Sequence, residues 1–260
     1  MRKFLATVTP DLDAGAATGS AYSDNDILFG WTKFDIPNGC AELMSITATI
    51  AGTNGAAGNA HDIGLYFARA IDGVAPASFG TIHGATAATT TAAFRRNIIA
   101  FCSFVQNNMD DDDHLIGYDV YGDTGGNRNH GASRTIMQGD ETPFPGDSTY
   151  SATPQGYQSL WVAGIAHGAF DFGTDVTLDQ AGNQAASTAA TLLTLDGTGD
   201  PRKSFQPGDI LIGSTGGPTM EVVSIGGDTA MSVKNISEQI DDDEELVLQY
   251  PIRFHFGFNY

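Results

Sequence analysis

The sequence predicts an all-β protein: an N-terminal β-sandwich of jelly-roll type followed by a small C-terminal β-barrel or curled sheet. Three observations carry that expectation. The acidic side chains are almost all aspartate, 25 Asp to 6 Glu, and glycine occurs 32 times. Asp, Gly, Asn, Ser and Thr favour turns and strand ends, whereas Glu, Lys and Leu fill helix surfaces. Short runs rich in β-branched and aromatic residues recur, each closed by a Gly, Pro, Asn or Asp turn. No run shows the apolar period of an amphipathic helix, which a doubly wound α/β fold needs between its strands.

Arg2 to Thr7 reads as a first strand and Thr9 to Ser23 as a Gly/Ala/Asp-rich loop. Asp26 to Ile36 (DILFGWTKFDI) is the first strong strand, stopped by Pro37-Asn38-Gly39. Ala41 to Ala51 alternates, with Met44, Ile46, Ala48 and Ile50 on an apolar face and Leu43, Ser45, Thr47 and Thr49 on the other. Asp62 to Ile71 is a strand ended by Asp72-Gly73, and the β-branched and aromatic content of Phe94 to Val105 makes it a strand too. Leu115 to Tyr121 follows, with a turn at Gly122 to Gly126. Thr135 to Pro154 has three prolines and no period, so it reads as irregular, and Leu160 to Ile165 closes the region. These strands define a sandwich over residues 1–172. Residues 173–200 read as a linker, with a short strand at Leu192 to Leu195. Residues 201–260 form the small β domain: Ile210 to Ile212, Met220 to Ile225, Ala230 to Asn235 and Leu246 to Tyr250 are joined by tight turns.

The composition excludes several functions. With 260 residues the chain can bury a core without disulfide staples. Cys40 and Cys102 therefore read as small apolar side chains, with one disulfide left open. A net charge of −19 argues against nucleic-acid binding, which needs clustered Lys and Arg. No apolar run approaches the ~18 residues of a membrane span, and the few residues after Met1-Arg2-Lys3 are too short for a signal-peptide core.

No catalytic, cofactor or metal residues are assigned. Asp110 to Asp113 with His114 could offer carboxylate oxygens to Ca²⁺. It lacks the Gly and distal Glu of an EF-hand, and a solvated hairpin loop explains it as well. Asp241 to Glu245 reads the same way, as a charge run that keeps sheet edges apart. His61, His83, His114, His130, His167 and His255 make no metal-ligand spacing. There is no Gly-x-Ser-x-Gly elbow and no phosphate-binding glycine loop. Asn127 to His130 and Arg134, near Tyr118 and Tyr121, could form a sugar-binding surface or be an ordinary loop.

Interface candidates are clearer. Arg95-Arg96 is a basic pair in an acidic chain and could dock on a neighbour's carboxylates. Phe254, Phe256 and Phe258 alternate with Arg253, His255, Gly257 and Asn259, and Tyr260 follows. So aromatic a segment must be a core strand or pair with a partner.

The trailing unit Phe205-x-Pro-Gly-Asp-Ile-Leu…Met220-Glu-Val-Val-Ser-Ile…Val233-x-Asn-Ile-Ser, in a Gly/Thr/Asp-rich all-β chain, resembles accessory structural proteins of tailed phages, among them head-decoration and tail or fibre components. The resemblance implies a non-enzymatic virion role: made in the host cytoplasm, present in many copies, and decorating or cementing a capsid. Implied partners are the major capsid protein and further copies of the chain, in a homo-oligomer such as a trimer, with neither nucleic acid nor membrane. A carbohydrate-recognising tail module and a glycan hydrolase are the alternative readings.

Overall fold

Period-two segments become strands where another segment completes their backbone hydrogen bonds. The computed structural model describes residues 2–12, 21–54, 59, 61–71, 74–78, 80–84, 96–104, 109–112, 115–119, 135–140, 159–180, 182–214 and 217–260. The first strands are β1 (Lys3–Val8), β2 (Ile27–Asp35), β3 (Cys40–Ala51), β4 (Asp62–Ala68) and β5 (Ile98–Phe104). Next come β6 (Met109–Asp112), β7 (Leu115–Asp119), β8 (Thr135–Gln138), β9 (Ser159–His167) and β10 (Thr191–Thr194). The last are β11 (Ile210–Gly213), β12 (Thr219–Ile225), β13 (Ala230–Lys234), β14 (Leu246–Leu248) and β15 (Ile252–Asn259). The one α-helical turn among the described residues is Pro201–Ser204, capped by the Asp200 carboxylate accepting from the Arg202 N–H. The protein is all-β.

Two sheets make the larger unit. One runs β1-β15-β3-β7-β6, with β8 also on β3; the other runs β2-β9-β4-β5. Every ladder among them is antiparallel. Their inner faces share one core. The phenylalanines of β15 carry it. Phe256 lies 5.2 Å from Phe34 on β2 and 5.3 Å from Phe67 on β4, while Phe254 sits 5.5 Å from Phe29. These tilted and edge-on contacts suit the ring quadrupoles. Gly164 on β9 is a glycine because a Cβ there would run into the Phe29 ring.

The smaller unit is a curled sheet ordered β10-β13-β12-β11-β14 with its own aliphatic core, Leu193, Leu211, Val222, Met231 and Val233 among it. A bulge between Val222 and Ser224 helps it curl.

Four features depart from the sequence expectation. First, the strands do not follow the expected partition at 173–200 and 201–260. Val176, Leu178, Leu193 and Leu195 already belong to the smaller core, and β15 returns to the larger unit between β1 and β3. The smaller unit is thus an insertion between β9 and β15. The physical reason is the apolar face of β15, which is satisfied by the deepest core available and not by the nearest strands. Second, β3 does not keep one alternation. Leu43 and Ile46 both point inward because Met44 is an extra residue opposite the Gly257–Phe258 step of β15. Third, Asp110, Asp111 and Asp112 lie on a strand, β6, paired antiparallel with β7, while Asp113 and His114 lie outside the described residues. Fourth, Thr135–Gln138 is a strand on β3.

The acidic run 241–245 is solvated in its first three residues, Asp241, Asp242 and Asp243, but not in its last two. Glu244 is buried and accepts from the Asp241 N–H at 3.1 Å, over Gly213, where a Cβ would collide with its carboxylate. Glu245 Oε1 accepts from the N–H groups of Thr174 and Asp175 at 2.7 and 3.0 Å. Thr174 Oγ1 donates to the Leu246 carbonyl at 2.6 Å. Buried Asn59 ties the entry segment down, donating to the carbonyls of Ala51 and Asp171 and accepting from the Asp171 N–H. The Glu245 bonds fasten the segment that enters the smaller unit to the one that leaves it.

Candidate functional site

The expected interface residues have different fates. Phe254, Phe256 and Phe258 are buried in the chain's own core, so the core-strand reading holds and these rings offer no surface to a partner. Tyr260 is 37% exposed, and its backbone exchanges two 3.0 Å hydrogen bonds with Arg2. Arg96 is exposed, while Arg95 lies outside the described residues. Asn127, Arg128, Asn129, His130, Arg134 and Tyr121 also lie outside them. Cys40 and Cys102 are free thiols on different sheets. Burial pushes the Cys102 thiol far up from its ordinary range. Among the described residues no three His, Cys, Asp or Glu converge to hold a metal ion.

Two surfaces remain. The first is the β1 edge. Because Arg2 and Tyr260 form a doubly hydrogen-bonded pair, Phe4, Ala6 and Val8 turn their backbone groups toward β15, and Lys3, Leu5 and Thr7 turn theirs away. No ladder among the described residues covers that outward side. Leu5 is 60% exposed on the outer face, with Phe4 39% exposed beside it. Leu5, Met44 and Ser45 border a depression of about 390 Å³ over Gly257. A Cβ at Gly257 would strike the Ser45 hydroxyl as it stands. Thr7 Oγ1 and His255 Nδ1, 3.0 Å apart, close the other end of the outer face.

The second surface is a cleft between the two units, about 810 Å³ in volume. The strand β2 supplies Trp31 and Thr32, the segment before Tyr22 supplies Thr9, Asp11 and Leu12, and the β14–β15 connection supplies Gln249 and Tyr250. The cleft is held in shape by the Leu12 N–H donating to the Gln249 carbonyl at 3.4 Å and by Gln249 Nε2 donating to Asp11 Oδ2 at 3.3 Å. Trp31 Nε1 donates to the Ala77 carbonyl at 2.8 Å, which fixes the indole. Burial, then the charge of Asp11, push the Tyr250 hydroxyl above the ordinary tyrosine range. Among the described residues its lining holds one carboxylate, Asp11, where glycoside hydrolysis uses a pair.

The sequence did not single out this cleft. Asp11, Trp31 and Tyr250 are far apart along the chain, and only the return of β15 brings the third beside the first two. Comparison with family models, curated proteins and solved structures gives no match for this chain.

Proposed function

We propose that the protein is a non-enzymatic structural component of a virion that works by lateral association, decorating a capsid or belonging to a tail. The observation that carries the assembly half of this reading is the β1 edge, which no ladder among the described residues covers, with exposed Leu5. Soluble proteins blunt long apolar edges, and one left open is a template for strand addition. A second copy of the chain fits that edge. Strand β1 begins beside Arg2 and Lys3, whereas β6, at the opposite end of the same sheet, carries Asp110, Asp111 and Asp112. Opposite charges at the two ends of one sheet favour head-to-tail pairing of β1 with the next copy's β6. Each step along the sheet is antiparallel, so the two edge strands run the same way and the junction is a parallel pair. Such a heterologous contact closes as a ring, a trimer being one solution, or propagates.

The virion half rests on the resemblance of the trailing unit to tailed-phage accessory proteins. It is tested by purifying particles from cells that express the gene in its native context and locating the chain by electron microscopy. Regular density on a head or tail supports the reading. A chain absent from every particle and found only in the free fraction contradicts it.

A further inference from the structure

We propose that the cleft between the two units binds a neutral carbohydrate, with Trp31 and Tyr250 as stacking faces and Asp11 and Gln249 as hydrogen-bond partners for ring hydroxyls. This goes beyond the assembly reading and does not depend on it.

The cleft has the size of a small-molecule site and lies at a junction between units, where such sites concentrate. Its lining pairs two aromatic side chains that have an apolar body and a polar tip with a carboxylate, an amide and the Thr32 hydroxyl. That mixture suits a ligand with apolar C–H faces and many hydroxyls. It does not suit an apolar ligand, which would cover the remaining hydrogen-bonding capacity of Asp11 and Gln249 without satisfying it. Nor does it suit an anion, because the charge among its lining is the negative Asp11 on a chain of net charge −19. Trp31 lies on β2 and Tyr250 on the β14–β15 connection, which the Leu12–Gln249 hydrogen bond ties to the larger unit, so the separation of the two faces is preset. Gly30 lies in the lining as well. A Cβ built there meets nothing within 4 Å, so the space above it is open to a ligand.

The test follows Trp fluorescence while the full chain is titrated with a panel of short neutral oligomers of glucose, galactose, mannose and N-acetylglucosamine, alongside sialylated oligomers. At least one neutral oligomer should give a saturable change, and sialylated ones a weaker response. Tyr250→Ala and Asp11→Asn should each raise the dissociation constant about tenfold. Gly30→Leu projects into the open space and should abolish binding while leaving the melting temperature in place. The proposal is overturned if no neutral oligomer in the panel binds. It is equally overturned if binding to the folded Gly30→Leu protein matches that of the parent chain.

Discussion

The two units reach a β core by opposite routes. The larger unit is knitted from distant parts of the sequence: β15 sits between β1 and β3, and its phenylalanines pack on rings from β2 and β4. The smaller unit draws β11, β12, β13 and β14 from one stretch, with an aliphatic core and backbone groups capped by Glu244 and Glu245. The difference teaches where each is vulnerable. Deleting side-chain volume should hurt the first most, and removing a carboxylate should hurt the second.

The largest effect should come from Phe256→Ala, which empties a fully buried site ringed by Phe34, Phe67 and Phe254. A loss of about 3–5 kcal/mol is expected, measured by urea unfolding. Leu193→Ala in the smaller core should cost about 2–5 kcal/mol. If the insertion is an independent folding unit, this second loss appears as a separate early transition, while Phe256→Ala leaves the smaller unit's transition in place. A single shared transition in both variants would merge the two units into one.

Glu245→Ala comes next. It strips the acceptor from the N–H groups of Thr174 and Asp175, at a cost of about 1–3 kcal/mol. Hydrogen exchange should show faster opening at residues 174–176, with little change on β15. Uniform acceleration across both units would show that the junction does not act locally.

The smallest effect is at Tyr250. Its folded pKa is raised above the unfolded value, so the neutral phenol is favoured by folding. Stability from this group is therefore constant below about pH 10 and falls as pH rises beyond it, because the unfolded chain ionises first. In an absorbance titration of the eight tyrosines, Asp11→Asn should move the late-titrating component down. No movement would remove Asp11 from the neighbourhood of that hydroxyl.

Local chemistry was legible in the sequence. The DILFGWTKFDI segment, the turn at Pro37-Asn38-Gly39 and the hairpins after Pro207-Gly208-Asp209 all name their own structure, because alternation and turn residues act over a few positions. Phe254, Phe256 and Phe258 announce a strand but not its neighbours, since the partners of β15 are decided by which face is deep enough to cover three rings. The bulge at Met44 was hidden for the same reason. It exists only because of the register against Gly257 and Phe258. Glu244 and Glu245 read as solvent-facing charge because a carboxylate that caps backbone N–H groups looks, in sequence, like any other. The cleft was illegible because Asp11, Trp31 and Tyr250 converge only after both units have folded and docked.

The central claim is that the open edge of β1 is where copies of this chain meet. Sedimentation velocity over a range of concentrations, on the parent chain and on Leu5→Lys, tests it most directly. Leu5 is exposed, so the lysine leaves the fold intact while blunting the edge. The account predicts that the parent chain forms a species that is a multiple of 27.3 kDa and that Leu5→Lys stays at 27.3 kDa. A parent chain that remains monomeric at every concentration, or a lysine variant that associates as the parent does, would contradict it.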